Sequence, residues 1–545
     1  MGHLVNDVDH AVQDSIDGLV RASGGRLARL DGYPDIKVVV RTDAPRDRVA
    51  VVSGGGAGHE PAHAGFVGQG LLTAAVCGDI FASPSVDAVL AAIVSVTGDA
   101  GCLVIVKNYT GDRLNFGLAV ERARALGLAV EMVVVGDDIA LPDAPQPRGL
   151  AGTLFVHKTA GAAAESGASL AEVAAVAGRV ASTAKTLGVS LTGVAIPGRP
   201  YTERVEPGTA ELGLGIHGEP GAHTIQLEDA AALVASMASS LEESVSGGPL
   251  ALLLNNLGGV AALELGIVLR DLLATPLGAR ASLLTGPALL MTSLAAQGFS
   301  VSALPVDAEL TALLQAPVAA HIAWPGALPV GEVTLVEVPA VENPTFTASA
   351  DHDVRTLLTA VCDSIIEAEG MLNTLDSYVG DGDTGSTFST AARRVLAGLD
   401  TLPLAERPAL FSALSGILAT SMGGSSGVLG SVFFAAAGTA SAQGVSVADA
   451  LQAGIGAMQR YGGASVGDRT MLDALVPAVA ALSTGSAADA AEAAEKGSTA
   501  TASMTSARAG RSAYVPSEHL ADVQDPGAAA IAVMFRAAAT TTPPA

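Results

Sequence analysis

Three carboxylates fall within eight residues in the stretch Asp376-Ser-Tyr-Val-Gly-Asp381-Gly-Asp383. Gly380, Gly382 and Gly385 lie among and just after them, and glycine lets a backbone turn tightly enough for neighbouring side chains to converge. Hard divalent cations take oxygen ligands, often one or two carboxylates each, completed by phosphate oxygens and water. Three carboxylates therefore suffice for two cations bridging a triphosphate. Asp and Gly also make ordinary solvated turns, so both readings stand on spacing alone. A calcium loop is excluded, because no Glu follows at the twelfth position. A second small-residue loop, Thr420-Ser-Met-Gly-Gly-Ser-Ser-Gly427, leads into an apolar helix from Val428, where free N–H groups can meet phosphate. It holds no lysine, so any phosphate charge there must be met by metal.

Other candidates lie upstream. Val49-Ala-Val-Val-Ser-Gly-Gly-Gly-Ala-Gly-His59 is a strand, a glycine-rich turn and then a histidine. Such a turn at the end of a parallel strand can hold a ligand oxygen. Lys107-Asn-Tyr-Thr-Gly-Asp112 puts a cation and a carboxylate after a second strand. Both strand ends could deliver their polar residues to one crevice, as an acid–base group. His217 sits between glycines in Glu211-Leu-Gly-Leu-Gly-Ile-His217-Gly-Glu. A neutral imidazole there could add to an electrophilic carbonyl, while a plain surface turn explains the same residues.

The elements that must position these groups come in two kinds. Up to about residue 325, β-rich runs (Val49–Val52, Leu103–Val106, Val130–Val135, Leu252–Leu254) alternate with helical stretches such as 86–96 and 118–126. That alternation predicts α/β architecture with helices covering a sheet. A second α/β unit begins near Gly188, giving subdomains of about 1–186 and 187–325. Residues 326–350 are proline-rich and read as a final strand running into a linker. From 351 to 545 the pattern is helical. Val354, Leu357, Leu358, Val361, Ile365, Ala368, Leu372 and Leu375 mark one amphipathic helix, and further helices are predicted over 387–398, 408–421, 427–441, 447–459, 470–482 and 485–496.

Composition excludes several functions. The net charge of −25, from 29 basic and 54 acidic residues, opposes binding to nucleic acid or an anionic membrane. The mean hydropathy is +0.45, yet every apolar run is interrupted before the roughly 18 residues a membrane span needs. The first twenty residues lack the basic and apolar regions of a signal peptide. Three cysteines without a CxxC pair predict a reducing, cytoplasmic setting.

Taken in order, several segments resemble the single-chain, ATP-dependent dihydroxyacetone kinases. They are LVNDVDHAVQDSIDGLV, SGGGAGHEPAHAGFVGQGLLTAAVCGDIFASPS, VKNYTGD, GLGIHGEPG, LDSYVGDGDTGSTF, SMGGSSGVLGSVFF, GDRTMLDAL and GRSAYV followed by DPGA. The resemblance covers nearly the whole chain. It implies a substrate domain of two α/β subdomains followed by an eight-helix barrel that binds nucleotide. It also implies that His217 holds a ketose carbonyl as a hemiaminal, with Gly56, His59, Lys107 and Asp112 contacting the substrate and His59 as acid–base partner. Asp376, Asp381 and Asp383 would carry two magnesium ions on ATP. Thr384, Gly385, Ser386, Thr387, Ser425, Ser426, Gly462, Thr470, Met471, Arg511, Asp525, Pro526 and Gly527 would contact the nucleotide. The expected reaction is phosphorylation of dihydroxyacetone by a homodimer. Alternatives are a four-carbon ketose such as erythrulose, glyceraldehyde, or a ketose sensor without catalysis; a related member also cleaves FAD to a cyclic flavin phosphate.

Overall fold

The computed structural model describes residues 2–141, 146–201, 203, 205–219, 221–320, 324–339, 345–422, 424–509 and 511–541, with only the backbone at 424, 425, 511, 512 and 518. The chain divides into two compact units, Met1–Leu335 and Val336–Ala545.

The first unit is built on two sheets. In the first, the order is Leu27–Arg29, Val38–Arg41, Ala74–Ile80, Ala50–Ala57, Cys102–Lys107, Val130–Val135. The last four of these strands run parallel. Alternation divides their side chains between two cores, as a pleated strand requires. Val51, Leu103 and Ile105 face one cluster; Ala50, Val52, Val104 and Val106 face the other. In the second sheet the order is His223–Gln226, Thr209–Leu212, Lys185–Ser190, Gly298–Pro305, Leu250–Asn256, Ala281–Leu289, Leu328–Pro329. Its pairs are antiparallel except Leu250–Asn256 with Ala281–Leu289.

Two helices the apolar spacing left unread, Thr153–Glu165 and Leu170–Thr183, fill this unit. Every residue from Thr153 to Ala164 is buried, so the first of them has no polar face to betray its period. It shares one core with Val51 and Leu103 of the first sheet and Leu253 and Leu304 of the second. Burial of side chains such as Leu154 and Phe155 contributes about 1.5–3 kcal/mol each. The buried Asp137 carboxylate anchors its entry, accepting from the N–H groups of Leu150 (2.7 Å) and Gly152 (2.8 Å).

Among the described residues of the expected 326–350 segment, only Leu328–Pro329 pairs with a sheet; residues 331–339 carry no regular element. Val333, Leu335, Val336 and Val338 are all exposed, so the strand-like alternation there has no face to bury.

Among the described residues, eight helices of the second unit close a ring. They are His352–Glu367, Thr384–Gly398, Arg407–Ser421, Gly424–Ser441, Val447–Gly462, Leu472–Thr484, Ala487–Ala500 and Pro526–Thr541, each against the next and the last against the first. The single helix read over 354–375 is two: it breaks at Ala368, and Glu369–Val379 turns to bury Asp376. Apolar spacing continues through the break, because both pieces present that stripe to one core. The closing helix, Pro526–Thr541, went unread because its alanine-rich sequence shows little contrast between faces. No described helix is long and apolar enough to cross a membrane.

Candidate active site

Gly54, Gly55 and Gly56, expected in a turn, instead belong to the strand Ala50–Ala57, and the chain after it delivers His59 into a fully buried position. His59 Nδ1 lies 2.8 Å from the Thr292 carbonyl oxygen. A carbonyl only accepts, so Nδ1 carries the proton and Nε2 is left as a bare acceptor. That Nε2 is buried and meets no partner among the described residues. Thr292 follows a strand of the second sheet, so both sheets are needed to set this tautomer.

His217 stands beside it on the loop between Thr209–Leu212 and His223–Gln226. Its ring centroid lies 4.8 Å from that of His59, 4.3 Å from Tyr109 and 5.5 Å from Phe81. The loop is tied down by the His217 N–H donating to Glu219 (2.9 Å) and by Ser293 donating to the Ile216 carbonyl (2.9 Å). Burial, with help from Lys107 and Arg148, pushes the His217 imidazolium down to about 3. His59 is held well below the usual histidine range by burial, Lys107 and His217. Both rings are neutral near pH 7, which keeps one free as a nucleophile and the other as a base.

Lys107 ends the strand Cys102–Lys107, and Asp112 lies in the first turn of the helix Thr110–Ala125. Both are buried. Desolvation raises the Asp112 carboxyl, opposed by Lys107 and the Ser83 hydroxyl. Gly56, Asp112 and His217 line one cavity of about 430 Å³ with Phe81, Ser83, Tyr109 and Glu219. Gly56 must be bare: a Cβ there would come within 2.8 Å of the Ala82 nitrogen and 2.9 Å of the Phe81 Cα. Tyr109 and Phe81 lie within the quoted motifs, yet nothing in their residue type pointed to a histidine cage.

In the second unit, one ligand atom each from Asp376, Asp381 and Asp383 lies within 4.8 Å of the others. Asp376 is buried and accepts from the N–H groups of Asp383 (2.9 Å) and Thr384 (3.1 Å), which caps the helix Thr384–Gly398 from outside. Asp381 and Asp383 are exposed. The triad opens on a cavity of about 710 Å³. N-terminal ends of four helices line it, through Thr384, Ser426, Met471 with Leu472, and Asp525 to Gly527. Their N–H groups and dipoles favour an anion beside clustered carboxylates that favour cations. Oxygen-only ligands and this donor set fit magnesium held against phosphate.

Thr387, Gly462 and Thr470 line this cavity too. Gly385 and Ser386 lie outside its lining. The Ser386 hydroxyl turns to Glu369 (3.2 Å) and accepts from Asn373 (2.9 Å), and a Cβ on Gly385 would overlap the Glu369 carbonyl oxygen. Both serve the junction between helices. The side chains of Ser425 and Arg511 lie outside the described residues. Burial raises the Asp525 carboxyl to about 6, while it caps its helix by accepting from Ala528 N–H (2.7 Å).

Arg469 lies in the motif Gly467-Asp-Arg-Thr-Met471 beside the expected contacts Thr470 and Met471, but is not among the expected contacts itself. It is buried against this cavity and donates to the Val523 carbonyl at 2.8 Å, next to Asp525.

Comparison with known proteins agrees with this geometry. The Dak1 domain family matches residues 17–322 and the DAK2 domain family residues 378–540. The dihydroxyacetone kinase of Citrobacter freundii is 48% identical over 542 residues, 98% of each chain. The chain belongs to the single-chain dihydroxyacetone kinase family. A tomato (Solanum lycopersicum) relative named putative 3,4-dihydroxy-2-butanone kinase is 43% identical, over 98% of this chain and 97% of its own. The crystal structure of the C. freundii kinase with AMP-PNP and Mg2+ superposes with a TM-score of 0.80 at 46% identity, covering 99% of this chain and 100% of that one. Family membership accounts for both the α/β unit and the helical ring.

Proposed function

We propose that this chain transfers the terminal phosphoryl group of ATP to a hydroxyl of dihydroxyacetone, holding the ketose covalently on His217. The observation that supports this reading is a pair of neutral histidines with ring centroids 4.8 Å apart, His217 lining the cavity and the buried His59 next to it with a bare Nε2. A His217 nitrogen lone pair adds to the carbonyl carbon, and the C=O π pair moves to oxygen. That oxygen gains a proton as the ring gives one up, so the hemiaminal is neutral. His59 Nε2 then takes the proton of the hydroxyl that attacks phosphorus. Lys107 and Asp112 orient the remaining oxygens.

Asp376, Asp381 and Asp383 would hold two magnesium ions, which neutralise charge on the transferring phosphoryl group. Around them, the helix N-termini at Thr384, Ser426, Thr470 and Asp525–Gly527 position the triphosphate, with Arg511, Ser425, Gly462 and Met471 completing the nucleotide contacts. The three cysteines lie free, each thiol pushed up to about 12 by burial, which suits a reducing cytoplasm. A homodimer and a domain boundary within 326–350 belong to the same proposal.

The test is intact-protein mass spectrometry under native conditions with dihydroxyacetone. A mass gain in wild type, lost in His217→Ala, is expected; no gain in wild type sinks the hemiaminal. Turnover of glycerol as fast as of dihydroxyacetone would rule out carbonyl selection. Erythrulose is the second reading, favoured by the tomato relative's four-carbon name. Its kcat/KM against that of dihydroxyacetone decides between them.

A further inference from the structure

Behind Lys107 lies a buried polar chain that the proposed reaction does not use. Lys107 is wholly buried, and its Nζ sits 2.7 Å from Nε2 of His63, itself buried. An ammonium only donates, so His63 Nε2 is the acceptor and its ring proton resides on Nδ1. His157, on the fully buried helix Thr153–Glu165, stands next: the two imidazole centroids are 5.2 Å apart, edge to face. Its Nε2 lies 3.0 Å from Ser53 Oγ, whose single proton goes to the Ile105 carbonyl (2.8 Å). Ser53 therefore accepts from His157 Nε2–H, and His157 Nδ1 is left bare. The hydrogen-bond order thus sets both tautomers, and it leaves a donor on His63 beside an acceptor on His157. Neither Nδ1 has a hydrogen-bond partner among the described residues, so the two rings meet through their edge-to-face contact alone.

We propose that His63 is the positioning residue for Lys107, accepting a hydrogen bond from its ammonium and fixing Nζ beside Asp112 of the cavity wall, with His157 holding the His63 ring from behind. This rests on the reading of Lys107 as a ketose contact. A lysine side chain carries about 2 kcal/mol of rotamer entropy, so an unguided ammonium would be spread over several positions. Asp112 attracts Nζ from one side, and Gly55 forms the floor beneath it. His63 supplies the acceptor that fixes its direction. Neutrality of the acceptor matters, because a protonated ring would repel the ammonium. Burial and Lys107 hold His63 well below its ordinary range and His157 at about 3.

The test uses the full-length chain with saturating Mg·ATP. KM and kcat for dihydroxyacetone, KM for ATP and the melting temperature are compared in His63→Gln, His63→Leu and Lys107→Met. Glutamine keeps an acceptor near the Nε2 position; leucine keeps bulk without one. His63→Leu should raise the ketose KM by about tenfold or more, as loss of a hydrogen bond to a charged group implies. The kcat and the ATP KM should stay within about threefold, and His63→Gln should restore the ketose KM to a similar margin. Equal KM in the Gln and Leu variants would make His63 a core filler and overturn the inference. Should His63→Leu fail to fold, His63→Gln decides. A near-wild-type KM supports the role, and a tenfold rise in a folded protein overturns it. If Lys107→Met leaves the ketose KM unchanged, the reading of Lys107 fails and takes the inference with it. If Lys107→Met raises KM and His63→Leu does not, the inference alone fails.

Discussion

Gly55→Ala probes the ketose site through the smallest possible change. Gly55 has φ +151°, a value that L side chains rarely adopt, and a Cβ there would lie 2.7 Å from Lys107 Nζ and 3.5 Å from an Asp112 oxygen. Ordinary contact needs about 3.5 Å, so Nζ must retreat by roughly 0.8 Å or the strand must shift. A retreat of that size takes a 2.7 Å hydrogen bond to His63 beyond the bonding range. Hydrogen bonds to charged groups are worth about 1.5–3 kcal/mol, or roughly 10- to 150-fold in affinity. The strained backbone adds about 1–3 kcal/mol of lost stability. Gly55→Ala should therefore fold with a lowered melting temperature, bind dihydroxyacetone at least about tenfold more weakly by calorimetry, and bind Mg·ATP unchanged. Gly54→Ala is the contrast. Its Cβ would overlap the Val76 carbonyl oxygen within the parallel ladder, so it should lose folded protein rather than affinity alone. Ketose affinity within about twofold of wild type in a folded Gly55→Ala would refute this account of the floor beneath Lys107.

Three further outcomes are expected. Asp381→Ala should abolish phosphoryl transfer while leaving the ketose adduct intact; full ATP consumption in that variant would remove the triad from the mechanism. Asp525→Ala loses the cap of the closing helix and should lower stability by about 0.5–2 kcal/mol, read in denaturant, while raising the ATP KM. The pH response follows from His157, held at about 3 in the folded chain. Its pKa is depressed on folding, so its share of stability is complete above the unfolded value of about 6.5 and is lost as pH falls toward 3, by about 1.4 kcal/mol per unit. Buried Asp112 and Asp137 are shifted upward and act in the opposite sense. The informative measurement is therefore the difference between wild type and His157→Gln, whose melting temperatures should converge as pH falls from 6.5 to 4.5. A constant gap would mean His157 is not held neutral by burial.

Much of this was legible in the chain itself. Residue type and spacing marked the carboxylate loop as a candidate, but the same Asp and Gly make ordinary turns, and only the fold brings one oxygen of each carboxylate within 4.8 Å of the others. Continuous apolar β-rich runs marked strands such as Cys102–Lys107, and three- and four-residue steps marked most of the helical ring. Elements buried on every side escaped. Thr153–Glu165 has no polar face, and Pro526–Thr541 is too rich in alanine to show one. Residues 333–338 erred the other way, alternating like a strand without a partner to pair with.

Sequence by itself determined which groups were available: two glycine-flanked histidines, a lysine and aspartate at a strand end, and the three aspartates between Asp376 and Asp383. It could not determine their protonation. His59 Nε2 is left a bare acceptor because the Thr292 carbonyl, 233 residues away, accepts the hydrogen bond from Nδ1–H. His157 meets Ser53 only because the buried helix Thr153–Glu165 packs against the glycine strand, while His63, on the segment that follows that strand, reaches Lys107. Tautomers and pKa values depend on burial and on partners distant in the chain, and those exist only once the two sheets share a core.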